Sequence, residues 1–504
     1  MESLEPGSTV RPVSDPSGSS RQRAACLIVA MDGTRPLDPP SRHWLTGLDE
    51  VLLRRSPVGM GRVYDRAVRR GRQVLTLAVP DPTVSAKHAE LRFDDGRWTI
   101  IDRGSTNGTL VNGVRASQRP LIDGDVIFIC RVCVVFRELE LDEAPTPLDV
   151  SADGPVTRGL PPGLRTMSPS LERTFADAMK VVRSTASVMI LGATGTGKEL
   201  AAVAIHQLSG RTGPLVAVNC SELRADLTGS EMFGHCKGAF TGALSDKKGL
   251  VMASSGGTLF LDEVGELARP VQAMLLRALQ EREVRPVGAT GAQPVDLRVV
   301  SATHVDIDAL IEAKAFREDL RARLVGYTLR LPRLRDRKED LGLLIRGLLA
   351  RHGAEGRAPT LTVEAMSALF AYDWPRNIRE LGQVIELALL RAEQGEIAHK
   401  HLPDDVGSRS DPEPDRPSAS PRRPTGPLAF TRERLEALLR DHRGATQAAG
   451  AAVGVTRQAI EKWCKKLGVD HKVFRTTPGP MAPDDAEAAS EADGPDVDEP
   501  TDRR

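Results

Sequence analysis

The pattern of hydrophobic and polar positions changes character along the chain, and its first part has a period of two. From residue 26 to residue 138, short runs of Val, Ile, Leu and Thr alternate with turn signals such as Asn107-Gly108 and Asp123-Gly124. This alternation, broken by tight turns, predicts an antiparallel β-sandwich at residues 25–140. The preceding residues 1–24 are rich in Pro, Ser and Gly, and we expect them to be disordered.

The middle of the chain alternates apolar strands with longer helical patterns. Val188–Leu191, Thr258–Leu261 and Leu297–Ala302 are apolar runs of strand length, and stretches with helical periodicity separate them. Such alternation is typical of a parallel sheet with crossover helices. It predicts an α/β domain at residues 164–404.

The last ordered part of the chain has a helical pattern rich in small residues. Residues 428–472 contain Ala448 and Ala449, a glycine at 454 and a helix start at Thr456. A helix, a glycine turn and a second helix predict an all-α helix-turn-helix module, in which the second helix reads DNA. We expect its DNA-binding residues to be Thr456, Arg457, Gln458 and Lys462.

Low-complexity segments separate and follow these parts. Residues 141–163 and 405–427 are predicted to be linkers, and the latter is dense in Pro, Ser, Arg and Asp. Acidic residues accumulate in the tail 473–504, which we expect to be disordered. The chain is therefore predicted to contain three folded domains.

Charge and cysteine content narrow the functional classes. Lys plus Arg and Asp plus Glu both number 68, so net charge gives no attraction to polyanions. The six cysteines lack the spacing of a zinc site or a disulfide framework, and Cys130 and Cys133 lie in an apolar alternating run that favours burial over redox chemistry. The sequence contains neither the apolar region of a signal peptide nor the run of about 18 apolar residues that a membrane-spanning helix requires. We therefore expect a cytoplasmic protein without membrane contact.

A phosphate-binding loop follows the strand Val188–Leu191. Its glycines let backbone N–H groups face phosphates, the helix that follows adds its positive end, and Lys198 reaches the outer phosphates. About sixty residues on, the strand at 258–261 ends in an acidic pair, in the order expected for an ATPase: Asp262 to hold Mg²⁺ and Glu263 to polarise water. The alternative is a glycine turn and an acidic strand end that bind no nucleotide. The predicted ATP-binding residues are Gly192, Ala193, Thr194, Gly195, Thr196, Gly197, Lys198 and Glu199.

The segment Gly238-Ala239-Phe240-Thr241-Gly242-Ala243 matches the GAFTGA loop of the AAA+ enhancer-binding proteins that activate sigma-54 RNA polymerase. The resemblance extends from about residue 167 to 403, and it includes Glu199 after the P-loop lysine and the run from Trp374 to Leu381. Ala193, Cys236 and Met252 depart from residues frequent in that family. The resemblance implies an AAA+ ATPase with a helical lid from about residue 340.

The same resemblance implies roles for further residues. Asn219 is similar to the residue that holds the catalytic glutamate away from water, and Arg379 to the sensor II arginine of the lid. Arg317 and Arg323 resemble arginine fingers, which act on the ATP of a neighbouring subunit, so a ring of six or seven subunits is implied. The residues Gly238 to Ala243 would contact sigma-54, with Phe240 and Thr241 at the tip of the loop.

The N-terminal sandwich resembles a forkhead-associated (FHA) domain, whose loops bind phosphothreonine peptides. The resemblance rests on Gly61-Arg62, on Ser85 to His88, and on Gly104 to Thr109. It implies that Arg62 and Ser85 clamp the phosphate, that Asn107 holds the peptide backbone with Thr106 as an extra contact, and that His88 braces the loops. Ala86 departs from the arginine often found there. A sandwich retained only as a regulatory lid is the alternative.

Taken together, these features predict a sigma-54-dependent transcription activator that uses ATP and Mg²⁺. Its helical C-terminus resembles the Fis-type module of the same family, so double-stranded DNA upstream of promoters is an expected partner, with a small dimerisation hairpin as the alternative. The other expected partners are sigma-54 RNA polymerase, a phosphothreonine protein and further copies of the chain. Two rival functions are a phosphopeptide-binding scaffold on DNA and a sigma-independent AAA+ regulator.

Overall fold

The computed structural model describes residues 22–141, 146–223, 227–240, 243–352, 359–393, 395–407 and 432–442, together with residues 445, 446, 449, 460, 464, 465, 467–471 and 473. It divides into a unit that ends at residue 412 and a C-terminal unit. Within the described residues, no helix is both long and apolar enough to cross a bilayer.

Described residues 22–141 and 146–151 form the β-sandwich domain, and its last strand comes from the segment that was predicted to be a linker. As described, the strands make two sheets, ordered β13-β2-β1-β12-β11-β8-β9 and β10-β7-β6-β3-β5-β4. The predicted all-β sandwich is confirmed. Its strands are β1 (Gln22–Asp32), β2 (Ser41–Trp44), β3 (Glu50–Arg55), β4 (Val63–Arg69), β5 (Arg72–Val79), β6 (Ala89–Asp94), β7 (Arg97–Asp102), β8 (Thr109–Val111), β9 (Val114–Arg115), β10 (Gln118–Pro120), β11 (Val126–Ile129), β12 (Val132–Leu141) and β13 (Asp149–Ser151).

The central strands of this domain are buried on both faces. One face of β1 and β12, with Leu27, Val29, Val134 and Phe136, packs into the core between the two sheets. Their other face belongs to a second core, described below. Near-continuous apolar runs are typical of strands that are covered on both sides.

The α/β domain follows the predicted alternation of strands and helices. Its described parallel sheet has the order β15-β18-β21-β14-β22, with small hairpins β16-β17 and β19-β20. The strands are β14 (Val188–Leu191), β15 (Leu215–Asn219), β16 (Gly234–His235), β17 (Lys247–Lys248), β18 (Thr258–Asp262), β19 (Glu283–Val284), β20 (Gln293–Pro294), β21 (Val299–Thr303) and β22 (Tyr327–Arg330). The helices are α1 (Pro155–Arg158) before the domain, α2 (Pro169–Val182), α3 (Lys198–Leu208), α4 (Thr228–Phe233), α5 (Leu250–Ala253), α6 (Arg269–Glu281), α7 (Ile307–Glu312) and α8 (Glu318–Leu324).

A hinge and a helical lid come next. The hinge is a distorted 3₁₀ segment, Leu334–Asp340, and shorter 3₁₀ turns lie at Pro162–Leu164, Val264–Glu266 and His399–His401. Non-helical backbone at Arg337 breaks the hinge before the first lid helix. The lid helices are α9 (Leu341–His352), α10 (Val363–Ala371), α11 (Asn377–Arg391) and α12 (Asp404–Gly407).

The lid and the β-sandwich domain share one hydrophobic core. Buried side chains of β1 and β12 form a single cluster with those of α9, α10 and α11. Phe128 of the sandwich meets Phe370 of the lid edge to face, with ring centroids 6.2 Å apart. Gly342 lies so close to β1 that a Cβ there would be 1.7 Å from the carbonyl oxygen of Ala30. The pattern of apolar residues in the sequence does not identify this contact.

Part of the predicted linker at 141–163 is folded against the β-sandwich domain. Strand β13 pairs antiparallel with β2, and Val150 and Ala152 are buried. Asp149 accepts two hydrogen bonds from Arg66, at 2.7 and 2.8 Å, and lies 2.7 Å from Nδ1 of buried His43. These two partners outweigh the effect of burial and hold the pKa of Asp149 down at about 2. We call this segment, residues 146–163, the strap.

The C-terminal unit is described over fewer residues. Helix α13 (Arg432–Asp441) buries Leu435 and Leu439 against Ala449, Ile460 and Cys464. This small apolar cluster is compatible with the predicted helical module. The recognition residues Thr456, Arg457, Gln458 and Lys462 lie outside the described residues.

Candidate functional site

The phosphate-binding loop lies between β14 and α3, where the sequence places it. Gly195 and Gly197 have φ angles of 78° and 99°, which only glycine adopts without strain. Lys198 begins α3 and is 6% exposed. Its ammonium group donates to the carbonyl oxygen of Gly192 at 3.2 Å and contacts Glu263 Oε1 at 3.3 Å. Thr194 and Glu199 are exposed. The carbonyl oxygen of Ala193 accepts a hydrogen bond from the hydroxyl group of Thr196 at 2.8 Å.

The acidic pair stands at the carboxyl end of β18. Glu263 is in left-handed backbone geometry with φ of 50°, and its Oε2 lies 2.7 Å from Nδ1 of His304. Burial raises the pKa of Glu263, but the hydrogen bond from His304 and the charge of Lys198 outweigh it, so the pKa lies below its usual value. Glu263 is therefore ionised and held between two basic groups.

Asp262 is electrostatically different from its neighbour. Partial burial raises its pKa, and the charge of Glu263 adds to this while Lys198 opposes it. Asn219 is its register partner on β15. The Asn219 side chain is hydrogen-bonded to Ser221 and Glu222. In this structure Glu263 is held by His304 and Lys198, so the switch role of Asn219 stays a prediction.

The lid closes directly over the phosphate-binding loop. The backbone N–H of Ile378 donates to Gly195 O at 2.9 Å, and Asn377 Nδ2 donates to Thr194 O at 2.9 Å. A Cβ at Gly195 would lie 2.2 Å from Arg376 O and 3.2 Å from the Cβ of Arg379. The predicted sensor arginine, Arg379, is thus beside the loop.

The two predicted finger arginines lie just before and within the short helix α8. Arg317 precedes α8, and its guanidinium makes two hydrogen bonds to Asp319, at 2.9 and 2.6 Å. Arg323 is exposed on the same helix. This position at the surface suits groups that act on a neighbouring subunit.

These residues fit a nucleotide and a divalent cation. A buried ammonium, a glycine loop at a helix N-terminus and an ionised carboxylate are the groups that bind phosphates and activate water. Asp262 offers carboxylate oxygens, the ligands that Mg²⁺ prefers. The arrangement can bind a nucleoside triphosphate and hydrolyse its terminal phosphate.

The loop with the GAFTGA sequence follows the hairpin strand β16. The Phe240 ring packs against His235, with centroids 5.0 Å apart, and is 37% exposed. A Cβ at Gly288 would lie 2.7 Å from the Cβ of Ala239, so the β19-β20 hairpin supports the loop. Gly238 donates its N–H to Ala243 O at 2.9 Å, and Thr241 and Gly242 lie outside the described residues.

The sandwich loops bring together three of the four predicted phosphopeptide residues. Ser85 Oγ accepts the backbone N–H of Thr106 at 3.2 Å, and Asn107 Nδ2 donates to Thr83 O at 2.9 Å. Buried His88 accepts the N–H of Ser85 through Nδ1, and its Nε2 lies 3.3 Å from Gly108 O. Burial lowers the pKa of His88, which keeps the ring neutral and able to brace both loops.

The fourth predicted residue, Arg62, is hydrogen-bonded outside the loops that hold Ser85 and Asn107. Its Nη1 donates to Pro39 O at 2.8 Å, and its guanidinium lies in the field of Asp32 and Asp38. Arg55 lies beside Ser85. Its backbone N–H donates to the carbonyl oxygen of Ser85 at 3.1 Å, and its exposed guanidinium donates to the carbonyl oxygen of Pro82 at 3.2 Å. Arg55 at the end of strand β3 is therefore a second candidate for the phosphate clamp, and the role of Arg62 stays a prediction.

Comparisons with known protein families agree with this arrangement. The family model described as the Sigma-54 interaction domain matches residues 164–330, the AAA+ ATPase lid domain matches 335–419, and the FHA domain matches 68–130. The matches cover the α/β domain, the lid and the loops of the sandwich around Ser85 and Asn107.

Several curated proteins are similar over the middle of the chain. The sigma54-dependent transcriptional activator SfnR of Pseudomonas putida is 47% identical over 237 residues, which is 46% of this chain and 65% of SfnR. The transcriptional regulatory protein ZraR of Escherichia coli K12 is 38% identical over 314 residues, which is 62% of this chain and 70% of ZraR. The crystal structure of NtrX from Brucella abortus in complex with ADP has 30% identity and a TM-score of 0.45, covering 61% of this chain and 70% of NtrX.

Proposed function

Because the chain belongs to the family of sigma-54-dependent transcriptional activators, we propose that it hydrolyses ATP in a ring of subunits to remodel sigma-54 RNA polymerase at promoters. Under this proposal its C-terminal module binds double-stranded DNA, and its FHA domain responds to a phosphothreonine protein. The observation that carries the proposal is the buried Lys198–Glu263 contact under a lid that is hydrogen-bonded to the phosphate-binding loop.

Each residue of the candidate nucleotide site has its own role in ATP hydrolysis. When bound, Mg-ATP supplies the phosphoryl group and the metal that spreads its charge. Lys198 and the loop glycines hold the phosphates, Asp262 binds the metal, and Glu263 orients the attacking water. Lys198 leaves Glu263 as it turns to the phosphates, and His304 then keeps the carboxylate in place and ionised.

Residues from two further places complete the reaction. Arg317 and Arg323 lie at the surface, so they neutralise charge in the site of an adjacent copy. Arg379 lies beside Gly195, so it reports the state of the site to the lid. Cycles of hydrolysis then move the loop at Gly238–Ala243, which contacts sigma-54 through Phe240.

The proposal is tested by promoter opening with purified full-length protein, sigma-54 holoenzyme and ATP. We expect Phe240→Ala to keep ATP hydrolysis but to lose open-complex formation, because an exposed aromatic anchor carries the contact. Leu244→Ala is the matched control, since Leu244 is 85% exposed just after the motif. If the wild type hydrolyses ATP but opens no promoter while a known activator does, the proposed function is wrong. Opening by Phe240→Ala at the wild-type level would refute the role of the loop.

The phosphopeptide site is tested by two arginine variants. We expect Arg55→Ala to weaken binding of a phosphothreonine peptide at least about tenfold, because charge-assisted hydrogen bonds to phosphate are strong. Arg62→Ala is expected to change this affinity by less than about twofold, because its guanidinium is engaged with Pro39 O. Calorimetric titration measures both, with the unphosphorylated peptide as control. The opposite order of effects would restore Arg62 as the clamp.

A further inference from the structure

The hinge Leu334–Asp340 joins the α/β domain, the lid and the β-sandwich domain at one place. Arg337 Nη2 donates to the carbonyl oxygen of Thr196 in the phosphate-binding loop at 2.8 Å. Asn377 Oδ1 accepts the N–H of Leu334 at 2.8 Å while its Nδ2 reaches Thr194 O. The hinge therefore helps to fix the shape of the phosphate-binding loop.

A carboxylate of the hinge depends on the β-sandwich domain. Glu339 is completely buried, and Arg137 of β12 is the basic side chain that reaches it, with Nη1 3.5 Å from Oε2. The other oxygen, Oε1, has no hydrogen-bond partner among the described residues. Breaking a buried ion pair on one side leaves an uncompensated charge, which is strongly unfavourable.

The neighbours of Glu339 determine what such a charge would do. Arg337 is 7% exposed, and it is shared between Thr196 O and Asp340, whose Oδ2 lies 3.7 Å from its Nη1. Asp340 is fixed, because it accepts hydrogen bonds from Thr166 and from the backbone N–H of Met167. Burial raises the pKa of Glu339, and the charge of Arg137 is the main effect that opposes it. When Arg137 is absent, negative charge that remains on Glu339 attracts the Arg337 guanidinium, which already lies in its field, and so draws it away from the phosphate-binding loop.

We infer that Arg137 of the FHA domain is a positioning residue for the nucleotide site, acting by neutralising Glu339 so that Arg337 stays bonded to Thr196. The sensor domain thus contributes to nucleotide binding from outside the ATPase domain. This inference rests on the proposed nucleotide-binding function. The contact between the sandwich and the hinge therefore does more than hold the two domains together.

The test is titration of a fluorescent ADP analogue into the full-length protein. We expect Arg137→Ala to weaken its binding about fivefold or more, in the usual range of coupling between sites. Glu339→Gln in the Arg137→Ala background is expected to restore the affinity, because it removes the orphaned charge. Arg137→Lys, which keeps the charge, is expected to stay close to wild type.

Arg92→Ala is the control for loss of an arginine from the sandwich. Arg92 pairs with a buried carboxylate, Glu90, at 2.5 Å, but Glu90 keeps Arg103 as a second partner and is not part of the hinge. Unchanged nucleotide affinity in Arg137→Ala would overturn the inference while leaving the proposed function intact. Weak binding that Glu339→Gln does not restore would also overturn it, since general damage to the interface would then be the cause. A wild-type protein that binds no nucleotide would overturn the proposed function itself.

Discussion

A full-length protein carrying Lys198→Ala is expected to lose ATP hydrolysis by a factor of about 10² to 10³, the effect of removing one preorganised charge from a catalytic site. The Lys198 ammonium is buried between Gly192 O and Glu263, so alanine removes both the group that holds the outer phosphates and the counter-charge of the catalytic carboxylate. Nucleotide affinity is expected to fall together with turnover. Phosphate release from ATP and titration of a fluorescent nucleotide measure the two effects.

Two further variants give this prediction its controls. Glu263→Gln is expected to bind nucleotide and to hydrolyse it at a rate reduced about as much, because it removes the base and leaves Lys198 in place. Lys180→Ala changes an exposed lysine of α2 that pairs with Asp177, and it should behave as wild type. Full hydrolysis by Lys198→Ala would contradict the assignment of the nucleotide site.

The second large effect is expected from Gly342→Val. A Cβ at Gly342 would lie 1.7 Å from Ala30 O, and this backbone oxygen of β1 cannot yield without moving the sandwich away from the lid. We expect the free energy of unfolding to fall by about 3 kcal/mol, at the upper end of overpacking costs. Denaturant titration measures this change, and proteolysis of the strap should accelerate.

Gly347 provides the matched control on the same helix. It is exposed, and a Cβ there would meet no heavy atom within 4 Å. Gly347→Ala should therefore stabilise the protein by about 0.5–1 kcal/mol, because alanine loses less backbone entropy than glycine in a helix. Equal stability of the two variants would mean that the sandwich does not rest on α9.

The positions of the candidate nucleotide-site residues in the fold were largely predictable from sequence, because these residues follow strand ends in a fixed order. Strand β14 has the predicted bounds, and both Lys198 and Glu263 lie where the carboxyl ends of parallel strands meet. The pairing of Glu263 with His304 was not predictable. It depends on the distance between two strand ends, which the residue pattern does not contain.

The arginine of the proposed phosphate clamp was harder to predict, because the chain forms strand β4 between the two candidates and the Ser85 loop. Strands β3 and β5 pair directly and β4 lies at the edge of their sheet. Arg62, just before β4, is hydrogen-bonded to Pro39 O, whereas Arg55 at the end of β3 contacts the Ser85 loop. Arg55 ends β3, whose backbone pairs lead directly to the Ser85 loop.

The sequence does contain an indication of the contact between the sandwich and the lid, but the alternation of apolar and polar residues in the other strands obscures it. Residues 25–31 and 132–136 are continuous apolar runs. A strand with one face in water instead alternates apolar and polar residues. The runs indicate that both faces are covered, but they do not say what covers the second face. Only the fold brings Phe370 and Leu369 of α10 to that face.

The shared core also bears on how such a chain can evolve. A sensor joined only by a linker can be exchanged by recombination within the linker, and the rest of the protein is unaffected. Here an exchange at residues 141–163 would remove the strand of the strap from β2 and leave the apolar side of α9 and α10 in water. An incoming domain would need a sheet face that fits this lid. The β-sandwich domain and the lid are therefore expected to be inherited together and to change together.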